Sequence, residues 1–198
     1  MILYHGTSIK NADKIMKNGF KDRVGANINN WPDAVPSTEG FIYLTMTYPF
    51  FFGSVAANTK DSMAAIIKVK VHEKDIYPDE DFLKQAMRLK DDEHVDITQY
   101  KNFGMLSVKK LGNCAVKPDA ITIVDRKDFN ISEMFAYSDP LITLTNFLVM
   151  SCYYKTLVKR WWSGQDYKNI DQMEMISKSI QYNKRKPQPR RSYDENTN

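Results

Sequence analysis

Short strands recur along this chain with few helices between them, and that order limits the folds open to it. Met1 to Thr7 reads as an apolar strand that ends in His5-Gly6-Thr7. Gly40-Phe41-Ile42-Tyr43-Leu44-Thr45 reads as a second strand. Residues 64–71 alternate, with Ala65, Ile67, Val69 and Val71 facing one way and Lys68 and Lys70 the other, the pattern of a half-buried strand. Met105–Lys109 and Asn113–Lys117 read as strands around a Leu111-Gly112 turn, and Ile121–Val124 as a closing strand. Strict strand–helix–strand alternation is absent, so the pattern suits an α+β sheet fold.

Helix signals fall between and after these strands. Ser8 is a good cap for a first helix, whose apolar positions Ile9, Ala12, Ile15 and Met16 recur at helical spacing and which Asn18-Gly19 stops. Thr47 is placed to cap a second helix, with Pro49 in its first turn. The acidic turn Tyr77-Pro78-Asp79-Glu80-Asp81 caps a third, running through Phe82, Ala86 and Leu89. Asp139-Pro140 opens a long helix whose stripe is Leu144, Phe147, Leu148, Ser151, Tyr154, Leu157, Val158 and Trp161, and Gly164 ends it. A further helix covers about residues 166–181. Residues 21–40 and 90–104 read as irregular, and residues 183–198 as a disordered polar tail. The expected division is a sheet domain at 1–138, a helical extension packed on it at 139–182, and the tail at 183–198.

At 198 residues the chain is long enough for one domain with a core plus an extension. Its net charge of +4 is mild, and much of the excess sits in Lys184, Arg185, Lys186, Arg190 and Arg191. Such a tail either solubilises the chain or tracks a phosphate backbone of RNA or DNA. Cys114 and Cys152 lie in apolar surroundings and read as buried free thiols, which suits a reducing cytoplasm. No signal peptide is expected. The apolar run Leu141 to Tyr154 is too short and too polar to span a bilayer, so no membrane role is expected either. His72 and His94 have no partner ligands at metal-binding spacing, and no metal site is expected.

His5 is the sharpest functional candidate. A histidine at a strand end offers a directional hydrogen bond to a sugar hydroxyl or phosphate, and Gly6 beside it lets a ligand approach the backbone. Tyr43 ends a later strand and is followed closely by the hydroxyl of Thr45.

In this order the residues resemble the opening motifs of the ADP-ribosyltransferase superfamily, in the branch whose triad is His, Tyr and a variable third residue. The resemblance covers roughly residues 1–128. It implies a split, mixed β-sheet core with helices, with NAD as the substrate. It implies that His5 holds the ribose, that Gly6 and Thr7 bond the nicotinamide amide through their backbone, and that Tyr43 stacks on the nicotinamide ring. Tyr48, or one of Phe50, Phe51 and Phe52, would help to wall the pocket. The third motif position falls near Asn113, which can bond a hydroxyl but cannot act as a base. The turn Asp79-Glu80-Asp81 and the cluster Asp91-Asp92-Glu93 supply carboxylates that could substitute, with Ser107 a further candidate.

The implied activity is transfer of ADP-ribose from NAD to a protein or nucleic acid, of the kind a toxin, phage or defence effector performs. Two alternatives stand beside it. One is a catalytically inactive nucleotide- or partner-binding module of the same fold, favoured by Asn113 in place of an acid. The other is an RNA 2′-phosphotransferase, which resembles the same His-Gly-Thr opening but uses several arginines where this chain has only Arg23 and Arg88 before the closing strand.

Overall fold

The computed structural model describes residues 1–21, 37–57, 61–90, 95–134, 147–168 and 170, with the side chains of the last helix from Tyr153 onward. Its strands are β1 (Ile2–Ser8), β2 (Ile42–Thr45), β3 (Met63–Lys70), β4 (Ile76–Tyr77), β5 (Asn113–Val116) and β6 (Thr122–Asn130). Its helices are α1 (Ile9–Asn18), α2 (Pro49–Ala56), α3 (Glu80–Met87), α4 (Gly104–Leu111), α5 (Ile131–Met134) and α6 (Phe147–Trp162).

The six strands form one sheet in the order β4-β5-β2-β1-β3-β6. Each pair of neighbours is antiparallel, which corrects the expected mixture of parallel and antiparallel pairs. The reason is the central place of β1: the chain returns past it on both sides, so β2 and β3 both run against it. The joins are unequal. β1 pairs with β3 from Ile2 to Ser8 but meets β2 at one register position, Tyr4 with Thr45. The α+β class is as read, and the sheet narrows to a seam between β1 and β2.

Alternation along the strands builds cores on both sheet faces. Leu3, Ile42, Leu44, Ile67 and Val69 pack with Ala12 of α1 and Val108 of α4. Tyr4, Ile66 and Phe129 pack on the other side with Phe50 of α2 and with Tyr154, Leu157, Val158 and Trp162 of α6. A third cluster joins Phe41 and Ala115 to Phe82 and Leu83 of α3. The first half of β3 is therefore covered on both faces, and only its Lys68 and Lys70 end shows the half-buried pattern. α6 supplies part of a core that it shares with the sheet. Lys127 fixes its end by donating from Nζ to the Trp162 carbonyl at 2.6 Å, where a cation also meets the negative end of the helix dipole.

Several local readings need correction. Met105–Lys109 is not a strand but lies in α4. Its buried positions, Gly104, Ser107 and Val108 with Leu111 partly buried, follow helical spacing, which the short apolar run concealed. Thr47 is not the cap of α2; Tyr48 holds that position without a side-chain bond. Thr45 serves the turn instead, its Oγ1 accepting from the backbone N–H of Thr47 and of Tyr48 at 3.0 Å each. The closing strand runs on to Asn130, because β3 offers it a full-length partner across a bulge at Lys68/Val69. Met16 is exposed rather than part of the buried stripe of α1. The helix start at Asp139-Pro140, the loop tip, most of the helix at 166–181 and the basic tail lie outside the described residues.

Candidate functional site

The seam between β1 and β2 is held by the His5 side chain. Past the Tyr4–Thr45 pair, its Nδ1 lies 3.1 Å from the backbone oxygen of Tyr43. A carbonyl oxygen only accepts, so Nδ1 carries the hydrogen and, in the neutral ring, Nε2 is the acceptor end. Phe20 meets the imidazole edge-on, with ring centroids 5.3 Å apart. The two strands that carry the sequence motifs thus touch through a histidine ring rather than a full backbone ladder.

Gly6 has a structural duty. A Cβ there would lie 2.0 Å from the Pro49 carbonyl oxygen and 2.5 Å from the Gly53 nitrogen, so α2 crosses β1 directly over it. The open approach read for a ligand is filled, on that side, by the backbone of α2. Thr7 is buried on the opposite side, facing α1.

On that α1 side lies a cleft of about 320 Å³. His5 and Thr7 of β1 and Ile42 of β2 form one wall. Asn11, Lys14, Ile15 and Asn18 form the other, because spacings of three, four and seven residues bring them to one face of α1. Gly19, Phe20 and Lys21 close the end. Its volume falls at the lower end of the range of roughly 300–1,000 Å³ usual for small-molecule sites.

Tyr43 does not line this cleft. Its ring packs with the cluster beneath α3, and its hydroxyl donates to Glu80 Oε1 while accepting from the Thr38 N–H at 2.9 Å. The same carboxylate oxygen accepts from the Thr38 hydroxyl and, at 2.9 Å, from the Thr38 N–H. Glu80 is 5% exposed, so this hub is nearly closed to solvent. Burial, reinforced by the Glu80 charge, pushes the Tyr43 phenol far above its usual range.

Asp79, the neighbour of Glu80, is the cap of α3 and is also buried. Its Oδ1 accepts from the Asp81 N–H at 3.0 Å. Burial, with the charges of Asp81 and Glu80 adding to it, pushes its carboxyl up to about 8. Its own N–H donates to Ser107 Oγ at 3.1 Å, and Ser107 in turn donates to the Asn113 carbonyl at 2.9 Å.

No protein-family model, curated protein or solved structure matches this chain.

The remaining candidates separate. Asn113 begins β5 as read, opposite Thr45, which itself pairs with Tyr4. That row sets Asn113 two strands from Tyr4, or about 10 Å at ordinary strand spacing. Its Oδ1 is buried and has no hydrogen-bond partner among the described residues. Tyr48 is 3% exposed in the core, its ring 5.3 Å from that of Tyr154, and it walls no cleft on the α1 side. Cys114 is a buried free thiol whose pKa burial pushes up, the Asp79 charge adding to this; the Cys152 side chain lies outside the described residues. Among the described residues no group of three or more His, Cys, Asp or Glu side chains could hold a metal ion. Nor is any helix among them long and apolar enough to cross a membrane.

Structure therefore brings together His5, Thr7 and the polar face of α1, and separately Tyr43, Glu80 and Thr38. Asn11, Lys14 and Asn18 are legible in the sequence as one polar helical face, but a polar face of a surface helix carries no signal for a ligand. Thr38 carried no local signal at all.

Proposed function

We propose that this chain is a transferase that takes NAD as substrate and passes its ADP-ribose to a macromolecular acceptor, protein or nucleic acid. The observation that supports this best is the His5 ring at the β1–β2 seam. It joins the His-Gly-Thr strand to the tyrosine strand and lines a cleft of ligand size.

In this reading His5 orients the ribose by accepting from a sugar hydroxyl. The C1′–N bond breaks with its electron pair leaving on the nicotinamide, which departs neutral. The acceptor's lone pair forms the new bond to C1′, and its proton passes to solvent. Such a step needs chiefly positioning and electrostatic support of a cationic transition state. Glu80 is too buried to touch substrate, so it serves as a positioning residue that fixes Tyr43, whose backbone oxygen in turn holds the His5 ring at the cleft. It is the carboxylate most closely tied to a motif residue, where the third motif position near Asn113 offers only an amide.

The test is nicotinamide release from NAD by the full chain, with cell extract as the source of acceptor. His5→Ala is expected to lower kcat/KM about tenfold, the worth of one hydrogen bond to a sugar hydroxyl. Glu80→Gln keeps an acceptor for Tyr43 and Thr38, and is expected to fold and to lower kcat with KM little changed. NAD binding without any release of nicotinamide would favour the second reading, an inactive nucleotide-binding module, which Asn113 in place of an acid supports. Absence of NAD binding would overturn both.

A further inference from the structure

We infer that the cleft between α1 and β1 seats the diphosphate of the ligand, with Lys14 and Lys21 as its counter-charges. This rests on the NAD reading for the identity of the ligand, but the chemistry of the wall stands on its own residues.

The polar wall consists of Thr7, Asn11, Lys14, Asn18 and Lys21, which offer two cations and several neutral donors. Among the described residues no carboxylate lines the cleft. The acid of α1, Asp13, is drawn away by Arg126, whose Nη1 lies 2.5 Å from Asp13 Oδ1. Arg126 is further held by Asp128 at 2.8 Å. Lys14 and Lys21 have no ion pair among the described residues. Two like charges at the rim of one cleft, with no internal acid to answer them, leave a field that only an anion neutralises.

The shape favours a small phosphorylated ligand over an extended polymer. Ile15, Phe20 and Ile42 add an apolar surface beside the cations, so the cleft pairs a ring-sized apolar patch with a charged edge. That combination suits a nucleotide, whose base or ribose is apolar on one face and whose phosphates are not. Lysine binds phosphate as a flexible point charge, in keeping with two exposed side chains that close on the anion. The C-terminal end of α1 opposes this with about half a negative charge, which two full positive charges outweigh.

The full-length protein is titrated by calorimetry with NAD, ADP-ribose, inorganic pyrophosphate and nicotinamide riboside, which carries no phosphate. Lys14→Gln and Lys21→Gln are made singly and together, with Lys17→Gln, on the same helix but outside the cleft, as control. All three substituted positions are exposed, and unchanged melting temperatures verify the fold. Each single variant is expected to weaken NAD and ADP-ribose about tenfold, and the double variant about a hundredfold. Lys17→Gln and the affinity for nicotinamide riboside should stay unchanged. Wild-type affinity for NAD and ADP-ribose should also fall as salt rises.

Undiminished NAD affinity in the double variant overturns the diphosphate seat while leaving the NAD reading intact. Binding of pyrophosphate that the double variant loses, with no binding of NAD, upholds the seat and overturns the NAD reading. Equal weakening by Lys17→Gln would show general charge rather than a seat, and would overturn it. Failure of wild-type protein to bind ADP-ribose and pyrophosphate would overturn it as well.

Discussion

Asp79 carries the clearest energetic conflict of any single residue. As the cap of α3 it should be an oxygen acceptor, and it is, but burial beside Asp81 and Glu80 makes its charge costly. Its carboxyl is raised from the ordinary 3.8 to about 8 in the folded protein, so the folded state holds the proton more tightly than the unfolded chain. Below about pH 4 both states are protonated and this group makes no difference. As pH rises towards 8 the unfolded state loses its proton first, and stability falls with it. Asp79→Asn keeps a good cap without the charge. It should flatten this decline, so that melting temperatures at pH 5 and pH 8 differ less than in the wild type. An unchanged or steeper decline in the variant would show that Asp79 is ionised at no cost. His5 shows the opposite economy: one ring replaces part of a backbone ladder and still presents a face to the cleft.

Between elements, the crossing of α2 over β1 sets the strictest limit. Gly6→Ala would drive a Cβ against the Pro49 carbonyl and the Gly53 nitrogen, both of them backbone atoms that cannot rotate aside. A loss of about 1–3 kcal/mol or more is expected, as in other overpacked sites. It would be read as a lower urea midpoint with an unchanged slope. Gly19→Ala is the contrast: its φ of 73° strains a side chain, but nothing lies within 4 Å, so the loss should stay near ~1 kcal/mol. The elements legible beforehand were those with local punctuation. Ser8 capping α1, Asp79 capping α3 and the alternation of β3 depend on neighbours a few residues away. Residues 105–109 of α4 read as a strand because five residues cannot distinguish two periods, and β6 reads short because its length comes from β3. The hub of Thr38, Tyr43 and Glu80 was half visible. Glu80 stood in an acidic run that usually faces solvent, and only the fold, which spans some forty residues to reach Tyr43, turns it inward.

Across the whole molecule, the place of β1 has a consequence in time. The first strand of the chain is the middle strand of the sheet, and its partners are distant. Gly6 pairs with Ile66, Ile66 with Lys127, and Leu44 with Cys114, each closing a loop of sixty to seventy residues. Local helices form early, yet the sheet that they cover cannot be completed until residues near 130 have joined it. Such non-local pairing slows folding, since chain entropy is lost long before contacts repay it. Refolding from urea, followed by tryptophan fluorescence, is therefore expected in milliseconds to seconds; completion within microseconds would contradict this. While it waits, β1 is an apolar strand with both edges unpaired, competent to stick to another chain. The residues that organise the finished molecule are thus the ones longest at risk during its assembly, and the yield of native protein should fall as the concentration of refolding chains rises.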